Sequence, residues 1–207
     1  MFVLIRLEDV VRVAPDLFGQ PVFLALKDRV DRIYSNRVLP HRGLCITLWD
    51  WIEKGEDRLL YSDGAAYTHV AFRMLVYRPV VNEIIIGRII AADRDGIRLS
   101  SDMFSHIYVA PHRLPSPSHF DEAESAWIWT YGQDKLFIDL EELAKCKVVS
   151  VTYSETASLD QETDADNHID DPSSSDKKGA SKLHYPPMVI NASMAGEGLG
   201  VLSWWED

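Results

Sequence analysis

The chain has 207 residues, 46% of them hydrophobic, and a formal net charge of −11. That is enough apolar material for one large or two small cores, and a charge balance opposite to the basic footprint of a bulk nucleic-acid binder. No run of about eighteen apolar residues occurs, so no helical membrane span is expected.

The charge is unevenly spread: +1 over residues 1–80, −4 over 81–153, −5 over 154–187 and −3 over 188–207. Any RNA contact therefore has to use a local surface. Residues 2–13 alternate as a first strand, cut by Arg6, Glu8 and Asp9, and read as a strand rather than a leader. Phe18-Gly19-Gln20-Pro21 leads into a helix over 22–38, with proline tolerated in the first turn. Phe23, Leu26, Val30, Ile33, Tyr34 and Val38 give it one apolar stripe, and Lys27, Arg29, Arg32 and Arg37 a basic outer face. A strand is expected over 44–52, a turn at Lys54-Gly55-Glu56-Asp57 and a short strand over 58–61. Ser62-Asp63-Gly64-Ala65 then turns the chain into a long strand in which Val70, Phe72, Met74 and Val76 alternate with Ala71, Arg73, Leu75 and Tyr77. Pro79 cannot donate to a sheet ladder, and Arg78-Pro79 is read as a domain seam. Residues 1–80 thus form a small α+β domain with one helix on an antiparallel sheet.

Beyond the seam, residues 81–207 read as all-β. Strands are expected over 84–91, 97–101 and 105–109, then a proline-marked loop, a mixed segment over 120–131, and strands over 136–140, 146–153 and 201–205. The order suits a small Greek-key barrel of the oligonucleotide-binding type, closed by the strand at the chain end; a small sandwich is the alternative. Residues 154–187 are acidic and nearly free of aromatics. They read as a disordered insertion between two barrel strands, at a loop-closure cost that grows only logarithmically with length.

Chemistry is sparse. The seven histidines and two cysteines show no zinc spacing, there is no phosphate loop, and no cofactor or metal is expected. Cys45 and Cys146 read as reduced, buried thiols. Gly196-Glu197-Gly198-Leu199-Gly200 lacks the strand before and helix after that a dinucleotide fingerprint needs, and reads as a turn. Asp121, Glu122 and Glu124 could form an acid/base pair but read as a solvated loop. Trp127, Trp129, Trp204 and Trp205 are candidate base-stacking platforms, weighed against core packing. On a barrel of this type the second and third strands carry the usual binding face. The candidate nucleic-acid site is therefore Arg88, Arg98, Tyr108, His112 and Arg113, with the basic face of the helix as the next candidate.

Several segments, in order, resemble the larger stalk subunit of archaeal and eukaryotic RNA polymerases, in its RNA polymerase III version. They are Met1-Phe2-Val3-Leu4 with Asp9-Val10-Val11-Arg12-Val13-Ala14-Pro15, Gly43-Leu44-Cys45-Ile46, and Asp63-Gly64-Ala65 leading into Phe72-Arg73. Phe120-Asp121-Glu122-Ala123-Glu124 with Trp127-Ile128-Trp129 follows, and Gly198-Leu199-Gly200-Val201-Leu202-Ser203-Trp204-Trp205 closes the set. The resemblance spans nearly all of the chain except the acidic insertion. It implies a nuclear, non-catalytic subunit whose N-terminal domain is a tip that plugs into the polymerase core and whose barrel is S1-like. It further implies a small helical stalk subunit as partner, contacts with initiation factors and with nascent single-stranded RNA, and a role in initiating transfer RNA, 5S ribosomal RNA and other small RNAs. The other class of function is a free single-stranded RNA-binding module outside the polymerase.

Overall fold

The computed structural model describes residues 1–154 and 186–205. The first unit is a four-stranded antiparallel sheet in the order β1-β4-β3-β2, built from β1 (Phe2–Val13), β2 (Val38–Leu39), β3 (Gly43–Leu59) and β4 (Ala66–Tyr77), with α1 (Val22–Tyr34) on one face. β1 and β4 pair without a break from Phe2 opposite Tyr77 to Val13 opposite Ala66. The alternation in β4 does what period two requires. Val70, Phe72, Met74 and Val76 turn inward onto Ala25, Leu26, Val30 and Tyr34 of α1, and all of these are buried.

Two expectations are corrected here. The helix stops at Tyr34, four residues early: Ser35 is extended and Asn36 takes φ +59. Asp31 anchors this exit, its backbone carbonyl accepting from the Ser35 N–H and its Oδ1 from the Leu48 N–H. Val38 is buried in β2 instead; an apolar residue four positions on does not reveal whether helix or strand buries it. The expected turn at residues 54–57 is absent, because β3 runs on to Leu59 through four register irregularities. A bulge absorbs extra residues without ending a strand. The Lys54–Asp57 ion pair (2.8 Å) and the Thr68 hydroxyl, which donates to Asp57, brace the last of the four.

The second unit is a closed five-stranded barrel, consistent with an OB fold. Its strands are β5 (Ile84–Asp93), β6 (Gly96–Ser100), β7 (Ile107–Val109), β11 (Leu143–Tyr153) and β12 (Met188–Ser193). They run β12-β7-β6-β5-β11, and β11 pairs back onto β12 to close the ring. Closure removes the sandwich alternative. The β7–β12 pairing is parallel and the others antiparallel. β8 (Ser118–Asp121), β9 (Ala126–Tyr131) and β10 (Asp134–Ile138) form a separate meander rather than barrel staves. The indole N–H of Trp127 pins it to the barrel by donating to the Asp93 carbonyl at 2.9 Å.

The closing strand is β12, not residues 201–205. There only Gly200–Val201 (β13) pairs with β11, and Leu202–Trp204 coil into a 3-10 turn. Gly200 sits at φ +104, and a Cβ there would lie 2.4 Å from the Trp204 ring. The chain can therefore fold back tightly only at a glycine. The acidic insertion lies outside the described residues, except at its ends, where the Ser154 N–H donates to the Pro187 carbonyl at 3.0 Å.

The two units meet in shared apolar packing. Val38, Leu44 and Tyr77 of the sheet belong to the barrel's core cluster, with Ile46 packed against it. The Met1 ammonium pairs with Glu83 at 2.6 Å across the same junction, and Pro79 is buried there.

Candidate nucleic-acid and partner interfaces

Strand pairing places three of the five candidate residues on one outer face. Arg88 is opposite Ser100, Arg98 lies two residues along β6 on the same side, and Tyr108 is directly opposite Arg98. His112 and Arg113 are not brought to this face by pairing. They sit in a 3-10 turn past the end of β7, where the Arg113 carbonyl accepts hydrogen bonds from the backbone of Met194 and Ala195 and from Ser193 Oγ.

This face is charge-compensated. Arg88 donates to the Glu141 carbonyl at 3.0 Å and stands 3.7 Å from its carboxylate. Arg98 is 3.8 Å from Asp93, and Arg94 pairs with Glu122. Tyr108 donates to the Asp95 carbonyl, and burial first, then Asp95 and Asp93, raise its pKa above the ordinary phenol value. The sequence shows where the arginines fall but not that each has its own carboxylate, because those partners come from turns at other positions in the chain.

The aromatic candidates divide. Trp127 is core, and Trp129 and Trp204 lie against each other with centroids 5.1 Å apart. Trp205 stays half exposed, its N–H donating to the Leu199 carbonyl. Tyr131, which the sequence reading passed over, stands exposed beside Trp129. Asp121 caps the Ala123 N–H of its own turn and Glu122 pairs with Arg94, so the imagined acid/base pair is a turn. Among the described residues no cluster of His, Cys, Asp and Glu could hold a metal. Cys45 and Cys146 are free and buried, and burial pushes their thiols up to about 11 and about 12, so both are protonated and unreactive at neutral pH.

Two exposed apolar regions were not foreseen. One spans the junction: Phe2 and Leu4 at the start of β1, Val80 and Val81 in the link, and Ile84 and Ile86 on the outside of β5, each at least 42% exposed. They lie on either side of the Met1–Glu83 contact. The other is at the far end of the sheet, where Phe18, Leu59, Leu60 and Tyr61 project from the turns after β1 and β3, Tyr61 fully. An open cleft of about 150 Å³ lies beneath Phe18, floored by Val13, Ala66 and Thr68. Strand periodicity could not reveal these regions, since alternation marks two faces without saying which one the fold leaves bare.

Comparison with known proteins places both halves of the chain in a family. Residues 83–205 match the family described as RNA polymerase III subunit Rpc25. Residues 8–64 match the SHS2 domain found in the N terminus of Rpb7p/Rpc25p/MJ0397. Among relatives, the chain is similar to the DNA-directed RNA polymerase III subunit RPC8 of Bos taurus, with 33% identity covering 99% of this chain and 98% of the relative. It is 27% identical over the full length of both chains to the subunit of the same name in Saccharomyces cerevisiae. The DNA-directed RNA polymerase subunit Rpo7 of Saccharolobus solfataricus is 32% identical over 47% of this chain and 54% of its own length. With both halves matched and a relative aligned nearly end to end, the chain belongs to the Rpc25/RPC8 family of RNA polymerase III stalk subunits, related to archaeal Rpo7.

Proposed function

We propose that the chain is a non-catalytic subunit of the nuclear RNA polymerase III stalk, with residues 1–80 as a tip domain and 81–207 as an S1-like barrel domain. In this reading it supports initiation at genes for transfer RNA, 5S ribosomal RNA and other small RNAs, together with initiation factors. The observation that carries it is the apolar band of Phe2, Leu4, Val80, Val81, Ile84 and Ile86 across the junction. A contiguous bare apolar surface marks an interaction site, and one that bridges two units suits the apolar face of amphipathic helices. It is assigned to the small helical stalk subunit. The second bare region, Phe18, Leu59, Leu60 and Tyr61, is assigned to the polymerase core.

The barrel face of Arg88, Arg98 and Tyr108 is assigned a weak contact with emerging RNA. The alternative, a free RNA-binding module, gains little from this barrel face, whose arginines each stand beside a carboxylate, and it would not need the band. Affinity purification of the tagged chain from nuclear extract tests this. The expected eluate holds the largest polymerase III subunits and a small helical partner. Replacing Val81 and Ile84 by Glu should release that partner while circular dichroism stays unchanged. Elution of the natural chain alone, as a monomer, would overturn the assignment.

A further inference from the structure

His41 and Arg78 lie beside Tyr153 at the junction, and the exposed Arg42 follows His41 in the chain. The His41 ring lies 5.5 Å from that of Tyr153. Arg78 is close enough for its charge to oppose the upward pKa shift that burial gives the Tyr153 phenol. Arg42 follows His41 in the β2–β3 turn, where its backbone N–H donates to the Leu39 carbonyl. Elsewhere on the folded surface Arg6, Arg73, Arg88, Arg94 and Arg98 each have a carboxylate at ion-pairing distance. Among the described residues, Arg42 and Arg78 have none, and neither do Arg32, Arg37, Arg58 and Arg113; what sets this place apart is that His41 and Arg78 stand beside Tyr153. Paired cations attract a further anion weakly; unpaired, solvent-facing ones attract it more strongly, by a modest amount for each charge pair in water.

The place matters as much as the charge. Tyr153 ends β11, and the next residue, Ser154, bonds back to Pro187, so residues 155–185 leave and rejoin the described chain beside the patch. Residues 155–176 hold eight Asp or Glu and no Lys or Arg. We propose that the patch of His41, Arg42 and Arg78 is a docking surface for an acidic polypeptide segment, and that its occupant in the free chain is the chain's own residues 155–176. A chain reaches at most about 3.3–3.6 Å per residue, so carboxylates only a few positions past Ser154 can arrive there. Tethering holds them at an effective concentration in the range of about millimolar. An untethered polyanion such as RNA has to outcompete that. The contact is electrostatic and solvent-facing, so it weakens with salt as the screening length shrinks to about 3 Å at 1 M. The proposal stands apart from the polymerase assignment and is tested on the full-length chain alone.

Arg42→Lys and Arg78→Lys keep the charge and supply an amine for zero-length carbodiimide coupling. The expected products join positions 42 or 78 to carboxylates within 155–176, and their yield drops several-fold in 1 M salt. Lys27, midway along α1, is the natural control and should couple to that segment far less. Coupling no greater than at Lys27, or indifferent to salt, overturns the proposal. Binding of a fluorescent oligouridylate gives an independent readout. Replacing the eight carboxylates by their amides should strengthen it about tenfold, and adding Arg42→Glu and Arg78→Glu should abolish the gain. If the amide variant binds no better than the natural chain, or if its gain survives both arginine reversals, the acidic segment is not the occupant. Oligouridylate that binds the patch equally tightly with and without those carboxylates would identify nucleic acid as its ligand instead.

Discussion

In the sheet, β1 lies against β4 over all twelve of its residues. In the barrel, β5 meets β11 at five positions, and β7 meets β6 and β12 at three each. The sheet spends its length on two long pairings along β4, with β1 and with β3, and buries one face under a single helix. The barrel makes several short pairings, and its ring depends on β12, which arrives more than thirty residues after β11 ends. The sheet is thus stabilised by burial against α1, and the barrel by closure. A defect in the first should stay local to the helix interface, and a defect in the second should reach every stave. Phe72, fully buried between the Tyr34 and Trp51 rings, and Ile190, fully buried on β12, are the matched probes. Phe72→Ala should cost about 3–5 kcal/mol and Ile190→Ala about 2–5 kcal/mol. Residue-resolved hydrogen exchange should show the first loss confined to α1, β3 and β4, and the second spread over β5, β6, β7 and β11. Equal loss of protection in both units from either variant would show one cooperative block and erase the distinction.

The same contrast explains what the sequence discloses. β1 is legible to the residue and the inward face of β4 side chain by side chain, because long alternation carries its own register. β12 is illegible: Met188, Ile190 and Ala192 alternate for only six residues, directly after the acidic stretch. What makes them a strand is partners far away in the chain, Tyr153 and Val151 on one side and Ile107 on the other. The interfaces divide likewise. Arg88, Arg98 and Tyr108 could be placed on a shared face by counting, whereas Glu141 and Asp93 beside them depend on how turns fold. The bare band at the junction was hidden for a further reason. Phe2, Ile84 and Ile86 are the residue types that a sequence reading assigns to a core, and only the assembled fold shows that no core reaches them.

The junction is where the two regimes touch, and the next largest effect is expected there. Tyr77 belongs to β4 by pairing and to the barrel by packing, being 7% exposed within the barrel's cluster and 5.6 Å from the Phe2 ring. Tyr77→Ala should cost roughly 3 kcal/mol, as large-to-small changes in a core do. It should also uncouple the two units, moving their thermal transitions further apart by calorimetry than in the natural chain. Pro79 restricts its own φ and the residue before it, but it is buried among the same contacts. Pro79→Gly should therefore cost less, about 1 kcal/mol, mostly by loosening the unfolded chain. Small-angle scattering decides which device fixes the angle. If Pro79→Gly broadens the distance distribution more than Tyr77→Ala, the backbone holds the junction and packing follows.

The smallest effect is expected at the barrel face, for reasons the ion pairs make plain. Reversing Arg88 and Arg98 to Glu removes two cations, yet each already stands within 4 Å of a carboxylate. Two fully exposed phosphate contacts on a single strand would contribute about 1.4 to the salt slope; these two should contribute distinctly less. Binding of single-stranded RNA by the full-length chain should weaken only about three- to tenfold at low salt, with a flatter salt dependence. Tyr108→Ala should act differently. Stacking is worth roughly 1–3 kcal/mol per base and does not depend on salt in the way a phosphate contact does. Its loss should lower affinity by a similar factor at every ionic strength. Arg88 continues the outer face of β5 two residues beyond Ile86, whereas Tyr108 lies two strands away on β7, so Tyr108→Ala should leave a partner at the band bound and the reversal of Arg88 should at most weaken it. If the double reversal leaves RNA affinity untouched, the contact moves to the next candidate, the basic residues Lys27, Arg29, Arg32 and Arg37 from α1 onward. The barrel would then serve as the support for the junction, and the sheet would carry both the core contact and the RNA.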